Sequence, residues 1–379
     1  MPIRFMPVRV NAHYCAVVME TMSPLLTLDN PYAQPISQRD SVLASGDSDH
    51  SLVSVVIACY NGERYLQEAI ESALAQSYPR VEIIVVDDGS TDGSSEIAKK
   101  FPVRYIRQDN RGLTESRNLG IRASRGNYVV FLDADDRLRP DAIETGLRVM
   151  VEHPECAMTV GDHRFISSDG SFLSDSRKAC LHSSHYEELL KSNFIEMISS
   201  VLFRRSVLVE IGGFDTTLRV AEDYELYLRI ARVYPICCHP ALIAEYRLHQ
   251  ANASRNSELM LRMTLQVLRR QGQYVRTDRG RLFAFLEGLR NWRRQYGRQL
   301  ALELAGSSSV LEVDHLRRKF LLLLAHYPQG LLAFVLLRLS PGLDKKVRLS
   351  VISAQERLPS PGFRAWFHNA KSRSSTQFG

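Results

Sequence analysis

The strongest constraint on this chain is a pattern repeated between residues 53 and 136: short, continuous apolar runs, each ending in a polar or acidic turn. Residues 52–58 read Leu, Val, Ser, Val, Val, Ile, Ala, and Tyr60, Asn61 and Gly62 follow as a turn signal. Residues 81–86 are almost wholly apolar and run into Asp87, Asp88, Gly89, Ser90, Thr91 and Asp92. Residues 128–132 repeat the form and deliver Asp133, Ala134, Asp135 and Asp136. β-Branched runs of this length, bounded by turn residues, predict buried strands. Between the first two, Tyr65, Leu66, Ala69, Ile70, Ala73 and Leu74 recur at helical spacing, with Glu63, Arg64, Gln67, Glu68 and Glu71 on the opposite face. A strand, helix, strand order with both strand faces apolar predicts parallel pairing in an α/β fold.

In an open parallel sheet the ligand crevice lies beyond the carboxyl ends of the strands. Ala58 and Tyr60, Asp87 and Asp88, and Asp133, Asp135 and Asp136 would all arrive there. Adjacent carboxylates repel one another and stay ionised together only where a cation or hydrogen-bond donors compensate. Hard oxygen ligands favour magnesium or manganese, so a site for a divalent metal and a charged substrate is expected.

These residues carry a resemblance. Val53 to Gly62, Val85 to Asp92, Arg117 with Asn118, and Asp133 to Asp136 resemble family 2 glycosyltransferases of the GT-A fold, as do Gly212, Gly213, Phe214 and Asp215 and then Glu222 to Leu226. The match covers roughly residues 52–250. It implies a Rossmann-like mixed central sheet flanked by helices, and a nucleotide-diphosphate sugar as donor, with a UDP-sugar expected first. The resemblance implies that Asp88 meets the nucleobase, that Ala58 and Tyr60 line the same pocket, and that Arg117, Asn118 and Glu222 lie along the donor site. Asp133 and Asp135, as the Asp-x-Asp motif, would sit by the ribose and hold a Mn2+ or Mg2+ ion that neutralises the diphosphate leaving group, and Asp136 would share that work. Asp223 would be the base that takes the proton from the acceptor hydroxyl, giving a single displacement with inversion. His249 falls where relatives place a histidine near the metal, and Arg247 could reach a phosphate as a bidentate donor.

Plainer roles exist for each of these residues. The Asp-Gly-Ser-Thr-Asp run can be a turn that caps a helix. Three aspartates in four residues can be a solvated loop, Arg117 a wet-face arginine on a helix over residues 113–124, and His249 a packing residue. Glu222 and Asp223 suit the positive N-terminus of a helix over 224–233, a role compatible with catalysis. Trp292 lies outside the matched region among Arg290, Arg293 and Arg294, where packing or an interfacial anchor is expected rather than a sugar platform.

The remainder of the 379 residues divides by composition. Residues 1–50 hold only a short apolar patch at 13–18 and no signal-peptide pattern; the Pro-, Ser- and Asp-rich stretch 24–49 reads as a flexible leader, and Met22 is an alternative start. The transferase domain is expected over 51–255, a basic helical extension over 256–358 with helices near 259–271 and 282–304, and a loose basic tail over 359–379. Apolar segments at 320–325 and 331–337 are separated by His326, Tyr327, Pro328, Gln329 and Gly330, and neither approaches the eighteen apolar residues of a membrane span. Flanked by Arg317, Arg318, Arg338, Lys345 and Lys346, they suit either attachment to an anionic membrane surface or a buried helical hairpin. Six cysteines without a Cys-x-x-Cys pair, two of them the adjacent Cys237 and Cys238, favour a reducing compartment, hence a cytoplasmic protein, which the basic apolar segments would hold on the inner face of the plasma membrane. The net charge of +6 gathers toward the carboxyl end, but no basic and aromatic nucleic-acid module accompanies it.

Competing chemistries lack their signatures. Asp133 to Leu138 does not continue as a haloacid-dehalogenase motif, residues 59–63 are not the Gly-rich, Arg-containing loop of a sugar nucleotidyltransferase, and no Gly-x-Gly-x-x-Gly follows the first strand. The expectation is therefore an inverting, metal-dependent transferase acting on a saccharide or lipid-linked acceptor in cell-surface polysaccharide or glycolipid synthesis. The alternative is an inactive family member serving as a membrane-surface partner of another transferase. Residues 161–172 and 174–190 are expected as loops that shape specificity.

Overall fold

A computed structural model describes residues 51–176, 184–250, 252–306 and 313–328. The expected leader, the second apolar segment at 331–337 and the basic tail lie outside the described residues. The three apolar runs are strands β1 (Val53–Cys59), β2 (Val81–Asp87) and β4 (Tyr128–Asp133), all parallel, with β1 between the other two. Helix α1 (Leu66–Leu74) makes the first crossover and buries Leu66, Ala69, Ile70 and Ala73, as its spacing requires. Helix α2 (Ser94–Ala98) leads to edge strand β3 (Arg104–Arg107), and α3 (Leu113–Ala123) returns the chain to β4.

Strand β1 is buried along its whole length. Val55, Val56 and Ile57 are fully enclosed, each contributing about 1.5–3 kcal/mol through burial. Its one polar residue, Ser54, is also enclosed; its hydroxyl donates to Glu82 at 2.5 Å and accepts the Gly126 N–H at 2.9 Å, so no polar group is stranded. Gly120 on α3 lets that helix lie against β1, since a Cβ there would stand 2.2 Å from Val56 Cγ1.

Beyond β4 the pairing changes. Strand β5 (Arg137–Leu138), helix α4 (Ala142–Glu152), β6 (Met158–Ser167), β7 (Phe172–Ser176), α5 (His185–Lys191), β8 (Val201–Arg204), α6 (Arg205–Glu210), α7 (Glu222–Val233) and β9 (Ile236–Leu248) follow in order. Among the described residues all strands join one nine-stranded sheet of order β3-β2-β1-β4-β8-β6-β9-β5, with β7 beside β6. Strand β8 is antiparallel to both β4 and β6, whereas β6 and β9 run parallel. The sheet is thus mixed, wholly parallel from β3 to β4 and combining both pairings beyond β4.

Two expectations are corrected here. Residues 161–167 are strand rather than loop, and residues 185–190 are helix; Gly161, Asp162 and His163 read as polar loop residues but are buried in a strand that bulges at this point. Gly161 is required because a Cβ would lie 2.6 Å from the side chains of His239 and Ile243. The reducing-compartment reading of the cysteines also loses its basis, because Cys156 is disulfide-bonded to Cys237 across a Cα separation of 6.0 Å. The two are 81 residues apart, and only the pairing of β6 with β9 brings them together, so their spacing carried no signal.

The extension forms α8 (Ser257–Val275), α9 (Arg279–Gly306) and α10 (Val313–His326). Leu261, Leu265 and Leu268 of α8 and Phe285, Leu289 and Trp292 of α9 share one apolar core with sheet residues Val56, Ile84 and Phe131. On α10, Leu322 and Leu323 are buried while Phe320, Leu321 and Leu324 face outward. No helix among the described residues is long and apolar enough to cross a membrane.

Candidate active site

Strand register sets the site. Ala58 pairs with Asp133, and Cys59 pairs with Asp87, so the carboxyl ends of β1, β2 and β4 present their loops side by side. The first two loops are tied together: the Asn61 N–H donates to Ser90 Oγ, the Thr91 N–H to Asn61 Oδ1, and the Gly62 N–H to Ser94 Oγ. Ala58 is buried below this junction, and Tyr60 stands on its lip, half exposed.

The two aspartates of the first acidic loop are held differently. Burial opposes the charge on Asp87, but hydrogen bonds from Ser90 and Tyr105 and the nearby Arg107 hold its carboxyl below the ordinary range. Asp88 accepts the N–H groups of Arg111 and Gly112 at 2.8 and 2.7 Å and the Gln108 amide at 2.7 Å. It therefore sits at the positive N-terminus of α3, where a carboxylate is favoured. Two carboxylate oxygens offer about four acceptor sites, so one further donor such as a nucleobase imide can be accommodated.

The second acidic cluster meets the late Glu-Asp pair through one side chain. Arg117, 3% exposed, donates from Nη2 to Asp133 at 2.5 Å and from Nη1 to Glu222 at 2.7 Å. It is not a wet-face arginine, and the two acids it joins are 89 residues apart in the sequence. Burial alone would weaken its charge, but Asp133 and Glu222 reverse that and raise its pKa. Glu222 opens helix α7, and Ala221 before it has φ +60°, a left-handed conformation that costs a non-glycine residue about 1 kcal/mol or more. Asp223, half-buried beside this bridge, is pushed up to about 7 by burial and by Glu222, against the pull of Arg117. A carboxyl group poised there can accept a proton at neutral pH.

Asp133, Asp135 and Asp136 each offer a carboxylate oxygen, and these oxygens lie within 4.8 Å of one another. Burial and the neighbouring carboxylates raise both Asp133 and Asp136, the latter strongly. Asp136 accepts the Arg247 N–H at Oδ1, while its buried Oδ2 has no partner among the described residues. An orphaned carboxylate oxygen beside two further hard oxygen donors fits a divalent cation. His249 Nε2 lies 2.7 Å from Asp135 Oδ2, so the histidine stands beside the cluster.

Arg247 and Asn118 occupy structural positions. Arg247 is buried, with Nε donating to the Asp135 carbonyl at 2.9 Å, Nη2 to Glu68 at 2.7 Å, and its guanidinium over the Tyr65 ring. It braces the acidic loop from behind, with its donors directed into protein. Asn118 exchanges both amide groups with the Phe214 backbone, at 2.9 and 2.8 Å, and so fastens the Gly212, Gly213, Phe214 turn to α3. Glu68, Tyr65 and Gln108 were not singled out as site residues: Glu68 reads as wet face and Tyr65 as apolar face of one helix, and Gln108 falls in no periodic pattern.

Comparison with known proteins bears on this geometry. The family profile described as Glycosyl transferase family 2 matches residues 54–212. An uncharacterized glycosyltransferase of Rickettsia typhi is 31% identical over 223 residues, spanning 54% of this chain and 67% of that protein. The chain belongs to glycosyltransferase family 2. Glycosyltransferase GlyA of Streptococcus pneumoniae is 40% identical over 126 residues, 32% of this chain and 18% of GlyA. Among solved structures, S. aureus TarS in complex with UDP-GlcNAc is similar with a TM-score of 0.46 and 18% identity, over 71% of this chain and 88% of that one. The chain spans only 18–35% of the length of several curated relatives. Its mixed sheet flanked by helices is the GT-A arrangement expected of the family.

Proposed function

We propose that this family 2 member is an inverting, metal-dependent glycosyltransferase that moves a sugar from a UDP-sugar to a saccharide or lipid-linked acceptor in cell-surface polysaccharide or glycolipid synthesis. The observation that carries it is the Arg117 bridge, which brings the strand-end carboxylate Asp133 and the helix-start pair Glu222 and Asp223 into one site. Asp88, at the foot of the first loop pair, accepts the imide N–H of a uracil, and exposed Tyr60 covers the base. Asp133, Asp135, Asp136 and His249 would hold the divalent ion, which when bound neutralises charge on the diphosphate. Asp223 takes the proton from the acceptor hydroxyl as that oxygen attacks the anomeric carbon; the bond to the nucleoside diphosphate breaks on the opposite face, which inverts the centre. Arg117 keeps the base and the acidic loop in register while remaining charged itself. Outward-facing Phe320, Leu321 and Leu324 beside exposed Arg318 support contact with an anionic membrane surface.

Calorimetry with UDP, GDP, dTDP and CDP, each with manganese and with chelator, tests this. Selective, metal-dependent binding of UDP that Asp88→Asn weakens is expected. Absence of binding for all four nucleotides would reject the enzyme in favour of an inactive partner protein.

A further inference from the structure

The helical extension touches the chain on both sides of Asp223. On the amino-terminal side, the segment from Gly212 to Ala221 begins with two glycines at φ +81° and +69° and ends at Ala221 at φ +60°. Its middle is tied down by α8: Arg270 Nη1 donates to Asp215 Oδ2, and Arg270 Nη2 donates to Thr217 Oγ1 at 3.1 Å. Asp215 is 5% exposed at its side chain and also accepts the Thr217 N–H at 2.9 Å, so the ion pair is largely desolvated and oriented. On the carboxyl-terminal side, Tyr224 directly follows Asp223. Its hydroxyl donates to the Leu189 carbonyl at 2.6 Å and accepts from Trp292 Nε1 of α9 at 3.3 Å. Trp292 is itself stacked on Tyr296 at 5.6 Å, and both are buried.

We propose that Arg270, seconded by Trp292, is a positioning residue for the Asp223 base, so that the extension is part of the catalytic machinery rather than an appendage to it. The proposal rests on the transferase activity proposed above. Segment 212–221 leaves the sheet region through a glycine turn at positive φ and enters α7 through a strained residue, so its path needs outside support. The turn is held by Asn118 of α3 and by Arg229, whose Nη groups donate to the carbonyls of Ile211 and Gly213. Arg270 supplies the hold on the following Asp215 and Thr217. A shift of the base by about 1 Å can cost about a hundredfold in rate.

The test uses the full chain, with Arg270→Gln, Arg270→Lys and Trp292→Phe. Hydrogen exchange is followed over residues 214–224, UDP affinity with manganese is measured by calorimetry, and turnover is assayed with UDP-glucose and UDP-N-acetylglucosamine. Arg270→Gln is expected to speed exchange in 214–224 while leaving residues 53–59 unchanged. It should lower kcat by about ten- to a hundredfold with UDP affinity within about twofold of wild type. Arg270→Lys should recover part of the rate, and Trp292→Phe, which keeps the ring stack, should show a smaller loss of the same kind. Unchanged exchange and kcat in Arg270→Gln, or UDP affinity falling in step with kcat, would overturn the proposal. A wild type that turns over neither donor and binds no UDP would instead reject the activity itself.

Discussion

The two halves of the sheet hold their functional residues by different means. In the parallel half, Asp87, Asp88 and the loop after β1 are secured by near neighbours: Asp88 by amides of the loop that opens α3, and Asn61 by the loop after β2. In the mixed half, the important contacts are ion pairs or hydrogen bonds between distant segments, Arg117 with Glu222, His249 with Asp135, Arg270 with Asp215. Backbone donors hold the proposed donor pocket in place. Ion pairs between separate elements make the base and the acidic cluster depend on one another, and a single substitution can uncouple them. The difference suits the proposed transferase, with its donor site in the parallel half and its base in the other.

The comparison can be broken most severely at Arg117. Arg117→Gln leaves Asp133 and Glu222 without their shared cation, and an uncompensated buried charge costs about 3–5 kcal/mol. Urea unfolding should register that loss together with loss of transfer; stability within about 1 kcal/mol of wild type would mean the bridge is not needed. A packing change in the parallel half, away from the acidic loops, should act on stability alone. Gly120→Ala places a methyl 2.2 Å from Val56 Cγ1 and is expected to cost about 1–3 kcal/mol in thermal unfolding, with UDP affinity retained. Asp135→Ala should lower UDP affinity in manganese by about ten- to a hundredfold and leave affinity in chelator unchanged. The smallest effect is on pH. Only the carboxylate form of Asp223 accepts a proton, so turnover should fall as pH drops through about 7. Glu222→Gln removes the like charge that helps raise Asp223, and should move that limb to lower pH by about one unit.

The same contrast explains what was legible in the sequence. Residues 53–136 announced strands, crossover helix and acidic loops because each element is a contiguous run with its own periodicity and turn signal. The GT-A class and the carboxylate cluster followed from that half and from the family motifs. In the mixed half, β6 carries Gly161, Asp162 and His163, which mimic a loop, and its burial depends on β9 some 80 residues later. The Cys156 to Cys237 bond was hidden for the same reason. Arg117 was singled out by motif, but its role as a bridge came from pairing across the fold, and neither Arg270 nor Asn118 carried any local sign of its partner. Arg247, expected to face a phosphate, is instead drawn inward by Glu68, Tyr65 and the Asp135 carbonyl.

The most direct measurement compares wild type with Asp223→Asn, recording kcat for transfer and UDP affinity in manganese on the same preparations. The amide is nearly isosteric, so the donor half and the Arg117 bridge are left in place while the proton acceptor is lost. Turnover should fall by about 10²–10⁴-fold with UDP affinity within about twofold of wild type. Turnover that survives the substitution, or an equal loss of turnover and UDP affinity, would contradict a division between a preformed donor half and a separately positioned base.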